Sequence, residues 1–415
     1  MNESSASALR NPGYRLQLST YVLAMMADNI EHVISYWVMF QKFHSTWLGG
    51  FAVISHWVPY LLFSVPAGAL GDRFDPRRLI QIGMALFMVV SLAWAWLIGT
   101  DQLLMWQAML LLVLHGCAGV LWQTNNQILL HEVATAHQLP SAVRLMAMAR
   151  SMGVLLGPAL GGLMLLQLGS WGGLVLNVAF YLPCLIWLIR APYGPAYRQV
   201  AVASKRAIRG LADIVQTARD IAPERQILVM VMLAGLSAFF VGNAYQAQMP
   251  GFAHDLGHGD PGTQYSMLLA ADAFGAIVGG VSLERYKWLS PRPGTALAFC
   301  LLWCLALTGF AQSTRYPWAL CALFAAGFFE LCFNSIAQTV VQLKAPDAIR
   351  GRVIGFYNMA ALGLRAGGGI TVGLVGGWLG IHWALSAAAL ALMVLVAGLW
   401  TFHRRDAKAV NPGWF

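Results

Sequence analysis

The chain has 415 residues and a formal charge of +9, and 58% of its residues are hydrophobic while only 10% are charged. An ordinary soluble domain is about 25% charged, so this composition excludes a soluble fold and predicts membrane-spanning helices. The positive charge does not indicate nucleic acid, because lysine and arginine concentrate on one predicted side, where they set orientation and contact anionic membrane lipid.

Apolar runs of about 18 to 25 residues predict an all-α membrane protein with twelve transmembrane helices. The first run follows a polar tail and carries charges, unlike a cleavable signal peptide. The predicted spans are 16–41, 47–70, 79–99, 102–130, 139–168, 171–190, 226–252, 263–286, 294–312, 316–343, 350–378 and 381–402. Their even number and the basic loops predict a multi-pass protein of the cytoplasmic (inner) membrane with both termini in the cytoplasm.

A long polar segment divides the spans six and six. We therefore predict an N-terminal six-helix bundle (1–190), a cytoplasmic linker (191–225) and a C-terminal six-helix bundle (226–415). In the linker, apolar residues such as Leu211 and Val215 fall near one helical face, and Asp213 falls elsewhere. This pattern predicts an amphipathic helix on the membrane surface.

The loop between spans two and three has the sequence G-A-L-G-D-R-F-D-P-R-R, from Gly68 to Arg78. Gly68 allows two helices to approach closely, and Asp72 and Arg73 can pair with each other or cap helix ends. Arg77 and Arg78 hold the loop on the cytoplasmic side. We expect these residues to latch that side during a conformational cycle and not to contact substrate.

Two features of the first half recur in the second half at nearly constant spacing. A parallel six-helix repeat explains such an echo, which a soluble core would not require. Gly68, Asp72 and Arg73 recur as Gly280, Glu284 and Arg285 at an offset of 212, and Arg150, Gly153, Gly161 and Gly162 recur as Arg365, Gly368, Gly376 and Gly377 at an offset of 215.

The loop Gly68–Arg78 resembles the loop signature of the major facilitator superfamily, with Asp75 where that family usually has glycine. Residues 153–162 resemble the fifth-helix signature of its proton-coupled exporters. Residues 345–353 and 44–47 are similar to the siderophore and macrolide exporters, typified by the enterobactin exporter. The resemblance implies the major facilitator fold, with two six-helix halves that alternately open a central site to each side of the membrane.

One feature departs from many proton-coupled members, which carry an arginine early in the fourth helix. No arginine lies near His115 in this sequence.

In the fifth helix, the spacing of Gly153, Gly157 and Gly161 allows close backbone packing, beside Gly162, and Pro158 kinks the helix. We expect this glycine seam to be the surface on which one half rocks against the other.

Charged groups inside predicted spans are costly and usually functional. Asp28, Glu31 and His32 share one face of the first helix at i, i+3 and i+4. We predict that Asp28 and Glu31 carry protons or bind substrate; a buried structural pair with Arg150 or Arg365 is the alternative. Further candidates for coupling or substrate binding are His115, Asp272 and Glu330, and both arginines are alternatively contacts for an anionic substrate.

The resemblance also implies that spans one, four, seven and ten line the central cavity. Amides and aromatic rings there suit a flat, amphipathic compound. The predicted lining residues are Tyr36, Trp122, Asn125, Asn126, Asn243, Gln246 and Asn334.

The sequence contains no catalytic constellation and no phosphate-binding loop, so we predict neither an enzyme nor direct use of ATP. No cofactor and no resident metal site are predicted, and we expect a monomer. The predicted function is secondary active transport, the proton-coupled efflux of an amphipathic drug or siderophore. Two alternatives are a divalent metal cation exporter of the same fold, since Asp28, Glu31 and His32 resemble a metal site in outline, and a non-transporting membrane sensor or assembly factor.

Overall fold

The computed structural model describes residues 7–43, 46–194, 207–242, 244–257, 263–286 and 290–410. These residues are almost entirely helical and contain no β-strand, which confirms the predicted all-α class. The helices are α1 (Pro12–Phe43), α2 (Thr46–Arg73), α3 (Pro76–Gly99), α4 (Met105–Val133), α5 (Leu139–Arg190), α6 (Ala212–Ile221), α7 (Arg225–Phe240), α8 (Ala244–Ala247), α9 (Met249–Asp255), α10 (Thr263–Tyr286), α11 (Pro293–Ala311), α12 (Tyr316–Lys344), α13 (Arg350–Asn358), α14 (Arg365–Gly368), α15 (Val375–Leu379) and α16 (Ile381–Val410).

The helices form two compact units. Unit 1 comprises residues 3–217 and 345–359, and unit 2 comprises residues 218–344 and 360–415. The segment 345–359, which contains α13, therefore packs with the first six long spans and not with its neighbours in sequence. The division into bundles at 1–190 and 226–415 stays a prediction.

Most predicted spans coincide with helices to within a few residues. Spans 139–168 and 171–190 meet inside α5 at Gly169, whose φ of 68° breaks the helix. The prediction of single helices over 226–252 and 350–378 is wrong. The first is interrupted after α7 at Gly242, whose φ is 49°; the second alternates α13, α14 and α15 with π-helical turns at Met359–Gly363 and Gly369–Leu374.

Among the described residues, eight helical stretches are long and apolar enough to cross a membrane. This confirms a multi-pass membrane protein, and the count of twelve spans stays a prediction. The stretches are Pro76–Gly99, Met105–Val133, Leu139–Arg190, Arg225–Gln246, Met267–Arg285, Pro293–Ala311, Tyr316–Lys344 and Ile381–His403.

The predicted linker helix forms as α6, with Leu211 preceding it and Val215 within it, and both side chains are exposed. Asp213, which the sequence placed away from the apolar face, is fully buried. Its carboxylate accepts a hydrogen bond from the backbone nitrogen of Arg209 at 2.8 Å and contacts Arg352. The linker is therefore attached to unit 1 through a charged group.

Helix α1 runs through two apolar cores of unit 1. Ala24 and Ala27 belong to one buried cluster, while Ile30 and Ile34 belong to the other. The polar residues of α1 that lie between the two clusters are therefore shielded from water, because α1 packs against both clusters. This arrangement positions the first candidate site.

Candidate functional site

Unit 1 holds a buried group of one histidine and two carboxylates. The ring of His115, from α4, lies between Asp28 and Glu31 of α1. Its Nε2 is 2.8 Å from Asp28 Oδ1, and its Nδ1 is 2.8 Å from Glu31 Oε1. Two donated hydrogen bonds would require a doubly protonated imidazole, whereas a neutral ring would accept from one protonated carboxyl group. Among the described residues, the carboxyl groups of Asp28 and Glu31 both pair with His115.

Two more histidines lie beside this group. The His32 ring centre, on α1, is 4.7 Å from that of His115 and 4.8 Å from that of His56, on α2. One ring nitrogen from each of the three lies within 4.8 Å of the others. Three helices therefore bring three imidazoles to one point. Spacing along α1 predicted His32 beside Asp28, but no local pattern could associate His56 with them.

The glycine seam of α5 determines where α1 lies. A Cβ added to Gly153 would lie 2.5 Å from the Cβ of Met25, and one added to Gly157 would lie 2.5 Å from the Cβ of Asn29. The two backbones pack in direct contact only because side chains are absent there. The seam packs α5 against α1 within unit 1, and its role as a surface on which one half rocks against the other stays a prediction. Gly162 has no neighbour within 4 Å of such a Cβ and lies outside the contact.

Unit 2 holds a second buried group, in which two carboxylates contact one phenol. The Tyr245 hydroxyl lies 3.2 Å from Asp272 Oδ1 and 3.1 Å from Glu330 Oε2. Gln246 Nε2 donates to Asp272 Oδ2 at 3.1 Å. Asp272 is buried and Glu330 is half-buried. The sequence identified Asp272 and Glu330 singly, whereas Tyr245 connects them.

A third charged group joins α2 to α13. Asp72 Oδ1 accepts from the Gly351 backbone nitrogen at 2.5 Å, and Oδ2 accepts from the Arg352 backbone nitrogen at 3.1 Å and from Arg352 Nη1 at 3.2 Å. Arg352 is fully buried, and its Nε donates to Asp213 at 3.2 Å. Burial raises the pKa of Asp72 to about 6, although the hydrogen bonds from Gly351 and Arg352 oppose the rise. Of the two predicted roles for Asp72, capping a helix end is the one the structure shows.

The approach of α2 to α13 depends on two glycines that face each other. A Cβ on Gly68 would overlap the carbonyl of Gly351, and one on Gly351 would overlap the carbonyl of Gly68. Close contact brings the first turn of α13 within reach of the Asp72 carboxylate, where helix N–H groups favour an anion. The predicted latch in this loop therefore has a defined partner segment.

The two helical units, the charged groups inside them and the α2–α3 loop can now be compared with known proteins. The family profile "Major Facilitator Superfamily" matches residues 18–368, which is most of the chain. The chain belongs to the major facilitator superfamily. It is therefore a membrane transporter of small molecules and not an enzyme.

The curated relatives have low sequence identity to this chain, but the similarity extends over most of its length. The chain is 24% identical to the "Methyl viologen resistance protein SmvA" of Salmonella typhimurium, over 74% of this chain and 70% of SmvA. It is 24% identical to the "Multidrug efflux pump Tap" of Mycolicibacterium fortuitum, over 92% of this chain and 93% of Tap. A crystal structure of the Escherichia coli fucose:proton symporter FucP has a TM-score of 0.69 at 16% identity, covering 94% of this chain and 98% of FucP, and supports the fold alone.

Asp75 lies in the superfamily loop at a position where the family usually has glycine, and in this structure it has a local role. Asp75 caps α3 by accepting from the Arg77 backbone nitrogen at 2.9 Å, and it also pairs with the Arg77 guanidinium at 2.8 Å. Arg77 in turn donates to the carbonyl of Ala191 at 2.6 Å, which ties the loop to the end of α5. Arg73 lies over the ring of Phe74, and it does not pair with Asp72 among the ion pairs of the described residues.

The remaining predicted loop residues sit at helix ends. Arg78 lies in the first turn of α3, while Glu284 and Arg285 lie in the last turn of α10, in unit 2. Arg365 is also in unit 2, where its Nε donates to the carbonyl of Ala361 at 3.1 Å. A latch role for Glu284 and Arg285 stays a prediction.

The predicted cavity residues fall into different environments. Trp122 is in the core of unit 1, Asn125 is fully buried, and Asn126 accepts from Gln17 at 3.1 Å. These three pack inside unit 1, so a lining role for them lacks support from their burial. Tyr36 lies 5.2 Å from His32, between ring centres. Gln246 contacts Asp272, Asn334 is half-buried in α12, and Asn243 lies outside the described residues.

Proposed function

We propose that this transporter exports an amphipathic small molecule, such as a drug or siderophore, in exchange for protons by alternating access. The relatives named as a multidrug efflux pump and a resistance protein support export of organic compounds. The resemblance of residues 345–353 to siderophore and macrolide exporters supports the same class of cargo. We place the chain in the cytoplasmic membrane with both termini inside, as the distribution of basic residues favours.

The observation that carries the coupling proposal is the phenol shared by Asp272 and Glu330. Tyr245 has one hydroxyl proton and can donate one hydrogen bond, yet it lies within hydrogen-bond distance of both carboxyl groups. The second contact is a hydrogen bond only if that carboxyl is protonated and donates to the phenol oxygen. Two like charges this close would otherwise repel in a site of low dielectric constant.

The neighbouring amide makes the two carboxyl groups unequal. Gln246 donates to Asp272 Oδ2, and a donated hydrogen bond favours the ionised form of the carboxyl group that accepts it. We therefore propose Glu330 as the protonated partner that donates to Tyr245. Since Glu330 is also the more exposed of the two, it is the group that we expect to exchange the proton with water. The sequence-based prediction that Asp28 and Glu31 carry this proton stays a separate hypothesis.

The test is proton release from purified protein when candidate compounds are added, screened across siderophores, macrolides, viologens and dyes. We expect wild type and the surface control Asp255→Asn to release a proton on binding, and Glu330→Gln to release none while still binding the compound. Proton release that survives in Glu330→Gln and is lost in Asp28→Asn with Glu31→Gln would overturn our assignment in favour of the sequence-based one. No pH-dependent movement of any compound in liposomes would overturn proton-coupled export itself.

A further inference from the structure

The histidines of unit 1 remain unexplained by proton coupling in unit 2. Three imidazoles and two carboxylates converge between α1, α2 and α4, inside the apolar interior. Buried ionisable groups are costly in a membrane protein unless they are paired or used.

Two buried atoms in this cluster lack a partner among the described residues. They are Nδ1 of His56 and Oε2 of Glu31, and the Glu31 side chain is almost completely buried. A buried acceptor without a hydrogen-bond donor destabilises the folded state unless a ligand satisfies it. Both atoms belong to residues that contact or adjoin His115. The two polar atoms that lack a hydrogen-bond partner therefore lie close to the same ring.

We propose that His32, His56 and His115, together with Asp28, bind a divalent transition metal ion, and that Glu31 orients His115. The sequence predicted no resident metal site, although Asp28, Glu31 and His32 resembled one in outline, because His56 and His115 lie on other helices. Binding at this site is a property of unit 1 and does not depend on which organic compound the chain exports.

The contacts of His115 indicate a different role for each of the two carboxylates, one as a metal ligand and one as a hydrogen-bond acceptor. Asp28 Oδ1 lies 2.8 Å from Nε2, close enough for Asp28 and Nε2 to become neighbouring ligands of one ion. Glu31 Oε1 lies 2.8 Å from Nδ1 and would then accept the remaining N–H. A histidine that binds a metal through one nitrogen usually donates its other N–H to a carboxylate, which fixes the ring orientation.

The three histidine nitrogens need to move only a short distance toward one another to bind one ion. The histidine nitrogens lie within 4.8 Å of one another, and two nitrogens bound to one ion at about 2.1 Å lie about 3.4 Å apart in a tetrahedral site. Rotation of the His32 and His56 rings can supply this difference. Imidazole nitrogen with one carboxylate favours Zn²⁺, Co²⁺, Ni²⁺ or Fe²⁺ and disfavours Mg²⁺ and Ca²⁺, which prefer oxygen ligands.

The test is titration of the purified full-length protein with Co²⁺, followed by its visible absorption, and with Zn²⁺ by calorimetry. We expect one ion per chain, a four-coordinate Co²⁺ spectrum and no competition by Mg²⁺. Glu31→Gln keeps the shape of the side chain and should weaken binding by about 10- to 100-fold, as other metal-orienting carboxylates do. His56→Gln should weaken it further and shift the Co²⁺ spectrum.

The exposed histidine His254 provides the matched control, because it lies beside Asp255 at the end of α9 and tests for binding at the surface. We expect His254→Ala to bind like wild type. Folding of each variant is checked by its thermal unfolding without metal, and wild type should gain thermal stability with Zn²⁺ even if a variant fails to fold. Absence of one-to-one binding in wild type, or binding lost in His254→Ala and kept in His56→Gln, would overturn the proposal.

Discussion

Asp72 and Arg352 are separated by 280 residues in the chain, and their side chains form an ion pair at 3.2 Å in unit 1. The same carboxylate accepts from two backbone N–H groups at the start of α13. One short side chain thus holds the end of α2 against the first turn of α13. Any movement of α13 away from α2 must break all of these contacts together.

We predict that Asp72→Asn slows transport more than it weakens substrate binding. Asparagine can still accept a hydrogen bond from α13, but it removes the ion pair with the buried Arg352, so it destabilises the latched arrangement. A shift of 1–2 kcal/mol corresponds to about 5- to 30-fold in the equilibrium, and we expect turnover to fall by that order. The measurement is turnover in liposomes beside binding affinity in detergent; lost affinity with unchanged turnover would contradict the prediction.

The stability contributed by Asp72 should depend on pH. Its pKa is raised from 3.8 to about 6 in the folded protein, so the folded state binds the proton more tightly than the unfolded state. The favourable contribution is therefore present at low pH and is lost as the pH rises through about 6. Relative to Asp72→Asn, wild type should lose up to about 3 kcal/mol of stability between pH 4 and pH 7. Parallel pH dependences for the two proteins, measured by thermal unfolding, would rule this out.

Two glycines of the fifth-helix signature should differ sharply in their tolerance of a methyl group. Gly157→Ala places a Cβ 2.5 Å from Asn29 Cβ and must push α1 away from α5. Overpacking of this kind costs about 1–3 kcal/mol. Gly162→Ala meets nothing within 4 Å and should be neutral to within about 0.5 kcal/mol. Thermal unfolding of both variants tests this, and equal effects would show that the seam is not a close contact.

The linker helix should be energetically coupled to the latch through Arg352. Asp213 and Asp72 contact the same buried guanidinium, so removing either leaves Arg352 with less compensation. A double-mutant cycle of Asp213→Asn and Arg352→Met should give a coupling energy of about 0.5–3 kcal/mol. The cycle Asp75→Asn with Arg352→Met serves as the comparison, since Asp75 pairs with Arg77. Additive effects in both cycles would mean that α6 docks independently of its charge.

The sequence by itself determined the fold class and most helix bounds, and it identified the loop from Gly68 to Arg78, whose role as a latch stays a prediction. Long apolar runs have one stable solution in a membrane, because every backbone polar group must be hydrogen-bonded within a helix. The spacing of Asp28, Glu31 and His32 placed them on one face because helical periodicity is local. Asp72 was identified through a motif whose residues are adjacent in the chain.

Only the tertiary structure decided which groups act together. His115 and His56 join Asp28 from other helices, and Tyr245 unites Asp272 with Glu330, because the packing of helices brings distant residues together. The glycine seam was recognised from its spacing, yet spacing cannot tell which helix lies against it. The breaks at Gly242 and near Arg365 also escaped prediction, since glycine is tolerated in a membrane helix until packing selects a non-helical φ or a π-turn.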